Sequence, residues 1–330
     1  MRKMNKLSWS FYQVWNESLE QRGERPTMPR NNLWASELGK SLLDNYLKMK
    51  GVEPSNPFDR RSLRKFEAGN IWEWIVGLIL KRAGVYLGSQ GWVEYQYPEL
   101  LRVTGKLDFL AGGKPDWEKS REEINELELP DFFYRATSSI IDHFQKTYPE
   151  GMREVILEIK SVGSFMFERF WNTGIANPNH RLQAFHYLIA TGRPEAHIVY
   201  VSKDDARIVE TGIFNPSLVE DEYKKYISDL TGFYKANQQP PLEKEIIFDE
   251  EQGSFSVNWK VMYSPYLTMI YRYKDQAEFD AKNRPLVAKY NRVLKRILEN
   301  KNMTKDNLDI VKRIEKEFGD IDKILAVVKK

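Results

Sequence analysis

Cysteine is absent from this 330-residue chain. That excludes disulfides, thiolate-held zinc, cysteine-held iron–sulfur clusters and thiol nucleophiles together. Histidine is scarce: His143, His180, His186 and His197 are the four present. His180 and His186 lie six apart on an expected helix and do not share the face that an i,i+4 metal pair needs. Any metal therefore falls to carboxylates, which favour Mg2+ or Mn2+. Long apolar runs are also missing. The stretch Ile71 to Leu80 is broken by Glu73 and Gly77, and nothing approaches the ~20 apolar residues of a membrane span. No apolar segment follows the basic start Met1-Arg-Lys-Met-Asn-Lys6, so no secretion signal and no membrane are expected, and a cytoplasmic location is. Gly39-Lys40-Ser41 has the ending of a phosphate-binding P-loop, but Trp34 stands where that loop requires glycine. Ser-His-Asp hydrolysis lacks a nucleophile elbow.

What is present is the balance of a soluble globular chain, 42% hydrophobic and 29% charged, long enough for one large domain or a core with appendages. The net charge of +3 conceals an asymmetry. From Lys282 to Lys330 there are 14 Lys and Arg against 7 Asp and Glu, a net +7 that leaves −4 for the rest. A basic segment of this kind can meet a polyanion, and it can equally be a set of solvated helix faces.

Periodicity places the elements. Aromatic anchors (Trp9, Phe11, Tyr12, Trp15) predict an N-terminal helix, and a second is expected around Glu37 to Met49. Phe66, Ile71, Ile75, Leu78 and Ile79 recur at helical spacing over 61–83. Strands are expected over 93–97 and 103–110, joined by a turn containing Pro98, and most clearly over 153–162. Residues 111–152 open with Gly112-Gly113-Lys114-Pro115, turn acidic, then become helical from Asp131 to Lys146. They read as an insertion over the core. Asn177-Pro178 and Gly192 bracket a helix as N-cap, first-turn proline and terminator. A hairpin over 197–214 and helices from Leu218 to Asn237 and from Asp275 onward complete the chain. The expected plan is an N-terminal helical arm (1–60), a core (61–240) carrying the insertion, and a basic helical C-terminal extension (241–330).

On the strand Glu154-Val-Ile-Leu-Glu158-Ile-Lys160-Ser161, alternation sends Val155, Leu157 and Ile159 to one face and Glu158 with Lys160 to the other. A simple ion pair on a half-exposed strand would also produce this pattern. Asp108 strengthens the chemical reading: in Gly105-Lys-Leu-Asp108-Phe-Leu, Leu107 and Phe109 point inward and Asp108 points to the opposite face. A carboxylate beside a strand carrying Glu-x-Lys makes a hard-oxygen cation site. Such a site suits phosphodiester hydrolysis, in which a metal polarises the phosphoryl oxygen and activates water, and a lysine stabilises the developing charge.

Two further features follow the same order. Glu73 lies on a helix between Gly69 and Gly77, each of which costs roughly 0.5–1 kcal/mol relative to alanine in a helix interior. Close approach to a sheet explains such a pair, and so does room for a metal beside Glu73. Gln183 and Tyr187 share one face of the helix after Pro178.

The conjunction of Asp108, Glu158-Ile159-Lys160 and Gln183…Tyr187 resembles the RecB-type branch of the PD-(D/E)XK nucleases, and is especially similar to CRISPR-associated and phage RecB-like exonucleases. The resemblance extends over roughly Trp34 to Tyr266. It implies an α/β restriction-endonuclease-like core with a mixed central sheet flanked by helices. It also implies Mg2+- or Mn2+-dependent hydrolysis of DNA, exonucleolytic in character, in phage or bacterial DNA processing. By the same resemblance, Asp108, Glu158 and the Ile159 carbonyl bind metal, Lys160 assists hydrolysis, and Gln183 and Tyr187 orient the lysine and the DNA. Two departures stand out. Glu73 occupies the place of a metal-binding histidine in the branch. Ser41-Leu-Leu-Asp44 and Trp259 to Tyr266 resemble the surroundings of an iron–sulfur cluster but contain no cysteine. Aromatic packing is expected to replace the cluster as the staple. The alternative is a non-catalytic DNA-binding protein, or a structural subunit of a repair, CRISPR or defence complex that docks a protein partner through its C-terminal helices.

Overall fold

A computed structural model describes residues 10–20, 27–127, 129–135, 137–213, 217–250 and 252–328. Trp9, Phe214 and the last two lysines lie outside the described residues. The chain folds as two compact units, one of residues 1–40, 49–51 and 58–238, the other of 41–48, 52–57 and 239–330.

In chain order the elements begin with α1 (Phe11–Glu20), β1 (Asn32–Trp34), a 3-10 turn at Ala35–Glu37, α2 (Leu42–Met49) and α3 (Arg60–Arg82). The long strands β2 (Tyr86–Tyr95) and β3 (Arg102–Gly113) follow. The insertion holds α4 (Trp117–Asn125), α5 (Asp131–Tyr134) and α6 (Thr137–Thr147), and leads into β4 (Met152–Val162), α7 (Ser164–Thr173), α8 (Pro178–Thr191), β5 (Ala196–Ser202), β6 (Ile208–Ile213) and α9 (Ser217–Lys235). The second unit adds the hairpin β7 (Ile246–Asp249) and β8 (Ser254–Val257), then α10 (Trp259–Met262), α11 (Leu267–Tyr271), α12 (Gln276–Leu298), α13 (Lys305–Phe318) and α14 (Ile321–Val328).

The first unit is a mixed α/β fold whose six-stranded sheet runs β1-β3-β4-β5-β6, with β2 on the remaining edge of β3. The β1–β3 and β4–β5 pairs are parallel; β2–β3, β3–β4 and β5–β6 are antiparallel. Helices flank this mixed central sheet, as expected. Helix α3 starts at Asp59, whose carboxylate accepts the Ser62 amide at 2.7 Å. Its Trp72, Val76 and Leu80, spaced four apart, pack on a sheet face made by Phe109, Ala111, Leu157, Ile159 and Val201. Helix α8 keeps the predicted punctuation: the Asn177 side chain accepts from the Asn179 amide, and Gly192 ends the helix at φ 67°.

One edge of β3 is shared by two strands. It pairs with β1 over Arg102–Thr104 and with β4 only from Phe109 onward. Among the described residues no strand pairs with Gly105–Asp108 on that edge. Side chains occupy the gap: the Tyr187 hydroxyl donates to the Lys106 carbonyl at 2.8 Å, and Asp108 accepts the Ile159 amide at 2.7 Å. Buried backbone groups require partners, and these two bonds stand in for a missing ladder.

In the second unit, Ile246 and Phe255 of the hairpin pack with Tyr290 and Leu294 of α12, Ile314 of α13 and Ile324 and Leu325 of α14. The basic C-terminal segment thus contributes apolar side chains to a core as well as charge. Within the same unit, the Ser264 hydroxyl donates to Asp44 at 2.7 Å and the buried Tyr266 donates to the Val52 carbonyl at 2.9 Å. The two cysteine-free stretches therefore meet through hydrogen bonds around a buried tyrosine. Among the described residues no helix is long and apolar enough to cross a membrane.

Candidate active site

The site lies where β3 and β4 part. Asp108, 9% exposed, projects from β3, and Glu158, 0% exposed, from β4. One Glu158 oxygen accepts from the Lys160 ammonium, two residues along the same strand, and the Lys160 side chain keeps 23% exposure. The other oxygen, Oε2, is buried and has no hydrogen-bond partner. Glu73 reaches the group from α3 and is half-buried.

Three carboxyl groups share one ammonium in a buried site, and their acidities record the burial first. Burial, reinforced by the Asp108 carboxylate and opposed by Lys160, pushes Glu73 up to about 7. Burial also raises Asp108 above the usual carboxylate range against the pull of Lys160 and the Ile159 amide. Glu158 is pushed up to about 8, by burial foremost; Lys160 opposes, while Asp108 and Glu73 add repulsion. Burial works to lower Lys160, but Glu158, Asp108 and Glu73 together outweigh it and hold the ammonium above its ordinary range.

Gln183 and Tyr187, both buried, face the same region from α8. The Gln183 amide donates to the Tyr187 hydroxyl at 2.9 Å, and that hydroxyl donates onward to Lys106, two residues before Asp108. Burial, then the Glu158 charge, holds the phenol protonated. The structure thus brings Glu73, Asp108, Glu158 and Lys160 into one electrostatic group, and ties Gln183 and Tyr187 to the backbone beside it. Ile159 enters through its amide, while its side chain packs beneath α3.

The glycines separate into two cases. A Cβ on Gly77 would stand 3.0 Å from the Phe109 ring, so this glycine serves close packing of α3 on the sheet. A Cβ on Gly69 would meet only Ser161 Oγ, at 3.4 Å. Gly105, not singled out by the sequence pattern, is more constrained: a Cβ there would lie 2.8 Å from the Ala35 Cβ and 3.0 Å from the Tyr187 ring. His180, set aside as half of a histidine metal pair, is a further neighbour. Its Nδ1 pairs with the Tyr200 hydroxyl at 2.9 Å, and burial, with Lys160 and Lys40 nearby, lowers it to about 3, leaving a neutral ring.

Among the described residues, no three His, Asp or Glu side chains converge as a ready-made metal cage. Asp108 Oδ2 is engaged by the Ile159 amide and Glu158 Oε1 by Lys160. The donor set nevertheless fits a hard dication: all-oxygen ligands and a buried Glu158 oxygen without a donor.

The sequence matches no family model and no curated protein. Among solved structures it is similar to the protein SSO0001, at 13% identity and a TM-score of 0.45, over 80% of this chain and 97% of that one. It is also similar to an alkaline exonuclease, LHK-Exo, from Laribacter hongkongensis, at 13% identity and a TM-score of 0.38, over 68% of this chain and 93% of that one. The same exonuclease in complex with dAMP matches at 12% identity, with equal coverage and TM-score. None of these three reaches a TM-score of 0.5.

Proposed function

We propose that this protein is a metal-dependent deoxyribonuclease of the RecB-type PD-(D/E)XK kind, acting as an exonuclease in cytoplasmic phage or bacterial DNA processing. The observation that carries the proposal is the meeting of Asp108, Glu158 and Lys160 where β3 and β4 part, with one Glu158 oxygen buried and unpartnered. Asp108, Glu158 and the Ile159 carbonyl would hold Mg2+ or Mn2+, with Glu73 as the further carboxylate. Such an ion, when bound, lowers the pKa of water and polarises a phosphoryl oxygen. Lys160 keeps its ammonium charged beside the carboxylates and supplies positive charge for the phosphate oxygens as negative charge builds on them. The Asp108–Ile159 bond fixes the aspartate to the neighbouring strand, and Tyr187, braced by Gln183, fixes β3 beside it.

The Lys160–Glu158 ion pair also favours a second reading, because it occupies a carboxylate oxygen that a metal would use. On that reading the chain is a non-catalytic DNA-binding or structural subunit, with the C-terminal helices meeting a protein partner. Labelled linear and circular DNA, single- and double-stranded, incubated with Mn2+, Mg2+ or EDTA separates the two. The nuclease reading expects cleavage with either ion, none in EDTA, and loss of at least ~100-fold in Lys160→Ala and Asp108→Ala. Undiminished cleavage by folded Lys160→Ala protein would overturn it.

A further inference from the structure

Beside the carboxylates, a cavity of about 470 Å³ opens between α3, β2 and β3, with Glu73 in its wall. This lies within the roughly 300–1,000 Å³ typical of small-molecule sites. Three aromatic rings contribute to its walls. Trp74, the residue after Glu73, lines it with 54% of its surface exposed. Phe109 and Tyr86 form another side, their rings 6.3 Å apart at 67°.

Besides Glu73, the polar lining residues are Lys81, Asn70, Ser89 and Gln90. Lys81, one helical turn beyond Gly77, sets its ammonium 4.8 Å from the centre of the Tyr86 ring. Asn70 and Gln90 bring side-chain amides, each able to donate and accept. Gln90 sits at φ 53°, a left-handed conformation uncommon outside glycine. Leu127, from the insertion, closes part of the rim.

Aromatic rings, amides that can donate or accept, and one cation match a planar heterocycle with polar edges attached to a phosphate. We propose that this cavity receives an unpaired nucleobase of single-stranded DNA, stacked on Trp74, belonging to the nucleotide next to the attacked phosphate. The proposal rests on the nuclease reading for the position of that phosphate, because Glu73 belongs both to the cavity wall and to the carboxylate group. Stacking on an aromatic side chain accepts any base, so the pocket selects unpaired over paired DNA and does not select sequence. The amides, which can present either hydrogen-bonding sense, agree with that tolerance.

The test uses the full chain with single-stranded oligonucleotides carrying 2-aminopurine at successive positions, in Ca2+ to hold the DNA uncleaved. Wild-type protein should quench the fluorescence of the label at one position. Trp74→Ala should lose that quenching and bind roughly 5- to 100-fold more weakly, the range set by losing one base–aromatic stack. Trp74→Phe should restore most of both. Trp74 is half exposed, so its replacement leaves the core intact, which circular dichroism verifies. Equal binding and quenching by Trp74→Ala, or no quenching by wild type at any position, overturns the pocket. The two readings fail separately. Position-specific quenching without hydrolysis in Mg2+ or Mn2+ removes the nuclease and keeps the pocket, whereas metal-dependent hydrolysis with binding and quenching unchanged by Trp74→Ala removes the pocket and keeps the nuclease.

Discussion

Replacing Glu158 by glutamine should stabilise the metal-free protein at alkaline pH while abolishing cleavage. Glu158 is fully buried, and its carboxyl is pushed from 4.5 to about 8. The folded state therefore holds a proton that the unfolded state has released. The stability tied to that proton is complete below pH 4.5 and is lost as pH rises through about 8. At ~1.4 kcal/mol per pKa unit, the shift bounds the loss at roughly 5 kcal/mol. The opposing pull of Lys160 is already contained in that shift and reduces it no further. Glutamine keeps the shape and cannot ionise. Urea unfolding in EDTA, followed by circular dichroism from pH 5 to pH 8.5, should show wild type falling away from Glu158→Gln across this window. Mg2+ or Mn2+ should narrow the gap on the alkaline side by stabilising the wild-type folded state alone. A constant difference between the two proteins over the whole range would refute the reasoning, because the carboxyl would then not titrate in a buried site.

Gly105→Ala should destabilise the protein by about 1–3 kcal/mol through overpacking against Ala35 and Tyr187, read as a lower melting temperature, and should slow cleavage as Tyr187 shifts. Glu73→Ala should raise the Mg2+ or Mn2+ concentration for half-maximal cleavage, and Glu73→His should recover part of the activity, best in Mn2+; an unchanged metal requirement removes Glu73 from the ligand set. His197 carries a pH-dependent term of its own: hydrogen bonds to Glu210 first and Glu195 next raise it above 6.5. Its contribution is full below about pH 6.5 and is lost as pH rises through the folded value. The stability of wild type over His197→Gln should therefore be larger at pH 6 than at pH 9 in urea titrations.

Local signals were legible where the chain spells them out. Asn177-Pro178 and Gly192 bracket α8, and the apolar run Val155-Ile156-Leu157 before Glu158 marks β4. Aromatic-rich α7, with Phe167 and Phe170 buried, carries no capping signal strong enough to separate it from a loop, and its first residue follows a glycine whose side chain cannot cap. The three-residue β1 and the β7–β8 hairpin are too short for periodicity to register. Glu158 shows another limit. Alternation put it opposite the apolar face, yet Ile156, on its own face, is fully buried too. A central strand is covered on both sides, and one strand's pattern does not report its second cover. Gly105 needed knowledge of a contact 82 residues away in sequence, at Tyr187, which no local window contains.

The bond between Asp108 and the Ile159 amide gives the site its own spectroscopic reporter. An amide proton held by a carboxylate experiences the charge on that carboxylate directly, unlike one held by a peptide carbonyl. The Ile159 amide resonance should therefore move when Asp108 gains a proton, and again when a cation draws the carboxylate charge toward itself. It lies within β4, paired with Val199 of β5. In 15N-labelled protein, a single backbone nucleus could then report occupancy and protonation at the carboxylates without a chromophore or a turnover event.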